Sequence, residues 1–275
     1  MLELEHRFRV VDVHAQLTSD EFASTRGRAI SPEKLEREMQ QAGVVRSVVF
    51  PEPGPEEGDY LTRNNTVARL SVDRPFVAFA RINGQRDPGA GATARLRNLT
   101  TSRQPWHTSP ADVEQYAYDD RFHGFVLDAP NDGLPDEQVL DELASVGLPV
   151  LVRAGQGFAP EAVAETLLGR GFPVVVAHLG GYPLDRDMMD RTIDLLDHYD
   201  DTYVDTSFVR FRDQLERAML EHPDRVLFGS GAPWTHPNVG VMELLTLDVS
   251  EDTMRRAFAK NACRVIEALR PAAEA

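Results

Sequence analysis

The sequence predicts an α/β protein: a single (β/α)₈ TIM barrel spanning residues 1–275, with a C-terminal packing helix. Three observations predict it. The chain has 275 residues, close to the roughly 250 that such a barrel needs. It alternates eight short apolar runs with amphipathic ones. Several apolar runs, such as Val174-Val-Val-Ala177 and Val48-Val-Phe50, are continuously apolar, as strands buried on both faces of a parallel sheet are. An open doubly wound sheet is the alternative, but no G-x-G-x-x-G follows the first strand.

The predicted strands are Phe8–His14, Val44–Pro51, Pro75–Arg81, His123–Ala129, Pro149–Gly155, Pro173–Gly180, Thr202–Phe208 and Arg225–Gly231. Helical patterns fall between them. Ser31 caps a first helix with Pro32 at its first position. Leu35, Met39 and Ala42 follow on one face, and Gly43 ends it. Pro135–Gly147 repeats the scheme with Val139, Leu140, Leu143 and Ala144. Pro160–Gly171 does so with Val163, Ala164, Leu167 and Leu168, and Asp185–Tyr199 with Met189, Ile193 and Leu196. Two connections are long: Glu52–Arg63, and Asn83–Ala117 with Trp106-His107. Both read either as lids over the active face or as tolerated surface insertions. Ala257–Leu269 reads as the final helix, and Pro271–Ala275 as a frayed tail.

Lys plus Arg is 29 against 44 Asp plus Glu, a net charge of −15. That argues against a nucleic-acid partner and against an anionic membrane. Lys34 and Lys260 are the only lysines, which fits a halophile or an arginine-favouring genome. The sole cysteine, Cys263, excludes intramolecular disulfides and a cysteine-based zinc site. There is no apolar run of about 18 residues and no signal-peptide pattern, so a soluble cytoplasmic protein, with homo-oligomerisation left open, is the expectation.

Chemistry in a barrel comes from the C-terminal strand ends. Here those ends carry His14 and Gln16, Arg81, Asp128, Arg153, His178, Asp205 and Ser230-Gly231. Two histidines and two arginines converging on one mouth form a polar group that a barrel core does not require.

These elements resemble the amidohydrolase-related branch of the amidohydrolase superfamily over nearly the whole chain. Val10-Val-Asp-Val-His-Ala-Gln16 resembles its first-strand Asp-x-His-x-His. Asn65-Thr-Val-Ala-Arg-Leu-Ser-Val-Asp-Arg-Pro-Phe-Val-Ala-Phe-Ala-Arg81 resembles its second helix and third strand. Ala177-His-Leu-Gly-Gly181, Phe228-Gly-Ser-Gly-Ala-Pro-Trp234 and Asn261-Ala-Cys-Arg264 resemble its sixth-strand, eighth-strand and terminal-helix motifs. The resemblance implies decarboxylases, hydratases and lactonases acting on carboxylated substrates. It also implies a metal site of two first-strand histidines, a fifth-strand histidine and an eighth-strand aspartate, with a sixth-strand histidine for metal binding or acid–base chemistry. Gln16, Arg153 and Gly231 stand at three of those positions, so His14 and His178 remain.

Two imidazoles and an amide oxygen are a poor donor set for a divalent ion. An arginine beside it repels the ion. The expectation is therefore no tightly bound cofactor, with a weakly held divalent metal such as zinc on His14 and His178 as the alternative. His178 and His14 are the candidate catalytic residues for proton transfer, with Asp128, Asp205 and His236 behind them. Arg153, Gln16, Arg81 and Trp234 are the candidate substrate-binding residues. Each has a plainer reading: buried histidines, Arg153 as a counter-ion for Asp128 or Asp205, Arg81 and Arg210 as structural residues, Asp12 and Asp205 as scaffold, Trp234 and Tyr182 as packing.

Three functions compete. The first is an amidohydrolase-related hydrolase or lyase acting on a small carboxylate-bearing lactone, ester or related acid without a tight metal. The second is an inactive relative that binds a small anion or a partner. The third is a metal hydrolase completed from the loops by His236, His107 or Glu52. An open pocket faced by Arg153 and His178 favours the first; Arg153 paired internally in a collapsed mouth favours the second.

Overall fold

The computed structural model describes residues 6–18, 30–54, 60–89 and 91–271. The first five residues, the middle of the Glu52–Arg63 connection and most of the tail lie outside the described residues. Eight strands follow in order: β1 (Val10–Leu17), β2 (Val44–Pro51), β3 (Phe76–Ile82), β4 (Phe122–Leu127), β5 (Val150–Gly155), β6 (Val174–Tyr182), β7 (Thr202–Asp205) and β8 (Val226–Leu227). They pair in parallel, each with the next. Backbone bonds from β1 to the segment after β8 close the barrel. Val13 N donates to Phe228 O (2.9 Å), Gln16 N to Ala232 O (2.8 Å) and Gly231 N to His14 O (3.0 Å).

All eight predicted strands are present, with shifted ends. β8 is only two residues long because side chains take over its ladder: Ser230 N donates to the Asp12 carboxylate at 2.9 Å. Gly229 leaves little room there, since a Cβ would lie 3.1 Å from both His14 Cβ and Asp205 Cγ.

The helices are α1 (Pro32–Gln41), α2 (Tyr60–Ser71), α3 (Ala92–Thr100), α4 (Pro110–Tyr118), α5 (Ala129–Asp132), α6 (Glu137–Val146), α7 (Pro160–Leu167), α8 (Arg186–Leu195), α9 (Arg212–Glu221), α10 (Pro237–Leu245), α11 (Glu251–Arg255) and α12 (Asn261–Val265). In α1 the Ser31 side chain accepts from Lys34 N, and Leu35 and Met39 are buried, as the pattern predicts. The long connection after β3 differs from expectation, because it contains α3 and α4. Its signal was a capping box, Ser109 with Asp112, followed by Pro110 at the first helical position. The final helix begins earlier than Ala257, capped by Ser250, and runs through a π turn at Arg256–Lys260.

The core has two layers. Leu35, Met39, Val139, Leu143, Val163 and Ile193 pack helices onto the outside of the strands. Val11, Val77, Phe79, Leu151 and Val175 fill the barrel, and Ala262, Ile266 and Leu269 pack against this inner cluster. The C-terminal segment meets the barrel where Arg46, near the start of β2, donates to Ala268 O. The opposite mouth is left for chemistry.

Candidate active site

A cavity of about 520 Å³ opens at the C-terminal ends of the strands. His14, Gln16, Arg81, Arg153, His178 and Trp234 all line it, so the structure brings these six leading candidates together. Phe50, Tyr182 and Phe208 supply aromatic wall.

One half of the mouth is built from imidazoles. β1 delivers His14, whose Nδ1 lies 2.8 Å from Asp205 Oδ2. The backbone N–H groups of His14 and Ser230 donate to Asp12 Oδ1, both at 2.9 Å. Asp12 therefore ties β1 to the eighth-strand end. Burial pushes its carboxyl up to about 6, against the hydrogen bonds from Ser230 and His14. β6 delivers His178, which with Leu179 adopts the left-handed backbone (φ 60° and 51°). Such a conformation costs about 1–3 kcal/mol per residue and persists only where neighbours enforce it. Asp205 helps enforce it, accepting from His178 N at 2.9 Å.

Asp205, at the end of β7, is the hub. Its Oδ1 also accepts from Ser207 N and from the Ser207 hydroxyl. Burial raises its carboxyl, but His14, His178 and Ser207 outweigh that and bring it down to about 2. Burial, reinforced by His14, lowers His178 to about 3, so its ring is neutral at pH 7. The His14 and His178 rings lie 5.0 Å apart. His14, His178 and Asp205 each offer a ligand atom, all within 4.8 Å of one another.

The other half is built from guanidinium groups. Arg81 is almost fully buried: Nη1 donates to Pro51 O, Nη2 to Asp128 Oδ2 (2.9 Å), and Nε lies 2.8 Å from Asp132 Oδ2. Arg153 donates through Nε to Asp128 Oδ1 at 2.6 Å, and its guanidinium sits 4.8 Å from the Tyr182 ring centroid. Arg153 lines the cavity with part of its side chain still accessible. The mouth is thus open, yet Arg153 is also paired internally. Burial raises Asp128, but Arg81 and Arg153 outweigh it and hold the carboxylate below its usual range. Asp132 goes the other way: burial pushes it up to about 6 despite Arg81.

The remaining candidates lie elsewhere. His236 caps α10 and bonds Gln41, Glu52 accepts from Thr18, and Arg210 pairs with Glu243. His107 borders a separate cavity. Trp234 Nε1 reaches Gln16 Oε1 at 3.5 Å. Sequence reasoning gave Asp128 and Asp205 only secondary roles and missed Asp132 and Ser207. The one signal for Ser207 was its place two residues after a strand-end aspartate.

A closed parallel barrel whose mouth sets imidazoles and a carboxylate opposite arginines belongs to the TIM-barrel class, which places its sites at these strand ends. The chain belongs to the amidohydrolase family, whose profile matches residues 11–267. No curated protein matches the sequence. Solved structures share the fold. 2,6-Dihydroxybenzoate decarboxylase from Rhizobium is 16% identical, with a TM-score of 0.67 over 95% of this chain and 99% of that one. 5-Carboxyvanillate decarboxylase from Sphingomonas paucimobilis is 16% identical, with a TM-score of 0.66 over 94% and 99%. 5-Carboxyvanillate decarboxylase from Novosphingobium aromaticivorans, complexed with manganese and 4-hydroxy-3-methoxy-5-nitrobenzoic acid, is 13% identical, with a TM-score of 0.64 over 97% and 98%.

The expectation of no cofactor is corrected. A structural neighbour holds manganese, and this chain has a His14–His178–Asp205 cluster able to hold an ion. The donor count fell short because Asp205 was read as scaffold. Two imidazole nitrogens and a carboxylate oxygen suit a divalent first-row ion. The repulsion argument also fails, because Asp128 neutralises Arg153 at 2.6 Å.

Among the described residues no helix is long and apolar enough to cross a membrane.

Proposed function

We propose that this protein is a divalent-metal-assisted lyase or hydrolase acting on a small aromatic carboxylate. The observation that carries this reading is one cavity with electron-pair donors on one side and a guanidinium on the other. His14, His178 and Asp205 would hold the ion. When bound, the ion would supply Lewis-acid polarisation of the substrate group beside it.

This chain's own residues divide the remaining work. Arg153 presents N–H donors to an anionic group, and Asp128 holds the guanidinium in place. A carboxylate gripped by arginine is stabilised in the ground state, which opposes losing it as carbon dioxide. The group at Arg153 is therefore a spectator, and the reacting bond lies on the imidazole side. Phe50, Tyr182 and Phe208 give a planar ring apolar walls and displace water. The decarboxylase neighbours favour carbon–carboxylate cleavage over hydrolysis within this class.

The test loads the protein with manganese or zinc. Carbon dioxide release is followed on a panel of aromatic mono- and dicarboxylates, and ring opening on carboxylate-bearing lactones. Metal-dependent turnover that requires a spectator carboxylate is the expected result. Absence of turnover across the panel, together with no benzoate binding, would overturn the reading.

A further inference from the structure

The connection between β3 and β4 encloses a second cavity, of about 870 Å³, beside α5. Its lining comes from the segment after β3, from α3, from the loop that carries Trp106, and from α5. These walls are fixed by their own hydrogen bonds. Asn83, which is buried, donates through its backbone N–H to Thr108 Oγ1 (3.0 Å), accepts from Thr108 N (2.8 Å) and donates through Nδ2 to Trp106 O (3.0 Å). Asn98 of α3 accepts from Asp87 N at 2.7 Å and donates to Asp87 O at 2.9 Å. Arg86 and Leu134 exchange both backbone bonds, at 2.9 and 2.7 Å, and Gly84 N donates to Asp132 O at 2.9 Å. A Cβ on Gly84 would lie 2.1 Å from the Leu134 carbonyl, so only glycine permits that approach.

The charges of the lining are matched in pairs. Arg97 lies 3.2 Å from Asp87 and Arg86 lies 3.1 Å from Glu137, while Asp132 is taken by Arg81. An ionic ligand would have to break one of these pairs or go without a counter-charge. The capacity left over is neutral. An amide side chain has two donor hydrogens and an oxygen with two lone pairs. Gln104 spends only Nε2, on Ser102, and Asn131 only Nδ2, on Asp128. Among the described residues, both amide oxygens and the Trp106 indole N–H have no partner. Unspent donors and acceptors thus line one cavity, and a hydroxyl is the small neutral group that satisfies both kinds. Trp106, 37% exposed, adds an apolar ring face.

We propose that this cavity binds a neutral, ring-shaped polyhydroxylated molecule, a mono- or disaccharide, with its ring on Trp106 and its hydroxyls on Gln104 and Asn131. The cavity volume lies within the range of small-molecule sites, about 300–1,000 Å³. The site is distinct from the barrel mouth and stands or falls independently of the metal-assisted reaction proposed above.

The experiment titrates maltose into a Trp234→Phe variant and follows fluorescence, so that the signal comes from Trp106, the other of the two tryptophans. Maltose should give a saturable change. Sorbitol, which carries hydroxyls without a ring, and citrate, an anion, should not. In the same background Gln104→Ala should bind maltose about fivefold more weakly with an unchanged unfolding midpoint, the effect of one lost hydrogen bond. By calorimetry, Trp106→Ala in the otherwise unaltered protein should lose about tenfold in maltose affinity and keep its benzoate affinity. No saturable response to maltose overturns the proposal. So does citrate or sorbitol binding as well as maltose, or maltose binding that survives unchanged in both Gln104→Ala and Trp106→Ala. A protein that binds maltose in this way but turns over no aromatic carboxylate upholds the saccharide site while the metal-assisted function fails.

Discussion

The two halves of the barrel mouth use buried carboxylates to opposite ends. On the β1–β6–β7 side Asp205 serves imidazoles and N–H groups, and among the described residues no arginine or lysine pairs with it. On the β3–β4–β5 side Asp128 and Asp132 serve two arginines. In the first arrangement the carboxylate sits among imidazoles and N–H groups, so the charge of this side is negative. In the second, the carboxylates take up part of each guanidinium and leave Arg153 N–H donors at the cavity edge. One side is therefore suited to a cation and the other to an anion, although both are built around aspartates.

The largest expected effects come from removing the centre of either half. Asp205→Ala strands several buried donors, and Arg81→Met strands Asp128 and Asp132. Each should lower unfolding free energy by about 3–5 kcal/mol in urea titrations. Metal content separates the two: Asp205→Ala should lose the ion and Arg81→Met should keep it. Equal metal retention in both would erase the division into a cation side and an anion side.

A smaller effect tests how each side treats its acids. Asp132 has a native pKa of about 6 against 3.8 in the unfolded chain. Its contribution to stability is complete below pH 3.8 and is lost as pH rises through 6. The stability of wild type minus Asp132→Asn should therefore fall by about 2 kcal/mol between pH 4 and 7. Asp205, down at about 2, behaves inversely: its contribution is present above 3.8 and is lost as pH falls through 2. If the Asp132 difference grew with pH instead, Arg81 would outweigh burial, and the two halves would hold their carboxylates alike.

Much of this mouth was legible in the sequence. Periodicity placed His14, Arg81, Arg153 and His178 at strand ends, because a buried parallel strand prints its own limits as an apolar run. Asp205 was placed at a strand end too, but its partners were not visible. Its bonds reach across 191 residues to His14 and 27 to His178, and such spacings leave no local pattern. The metal judgement failed for the same reason: Asp205 was not counted among the donors, and the pairing of Arg153 with Asp128 stood only as one of two readings. α4 was missed for a different reason, since its capping box carries little apolar periodicity to draw attention.

The smallest expected effect isolates the anion side. Arg153 is partly exposed, with 17% of its side chain accessible, whereas Arg81 is buried at 1%. Arg153→Lys keeps the charge but loses the planar fork and its stacking on Tyr182. Stability should change by no more than about 1 kcal/mol, because water reaches the site and the lysine still neutralises Asp128. Benzoate affinity, measured by calorimetry, should fall about tenfold, as the bidentate contact is replaced by a point charge. If benzoate binding survived in Arg153→Lys but vanished in Arg81→Lys, the buried guanidinium would be the anion-binding group. Arg153 would then be the counter-ion, with the roles of the two arginines reversed.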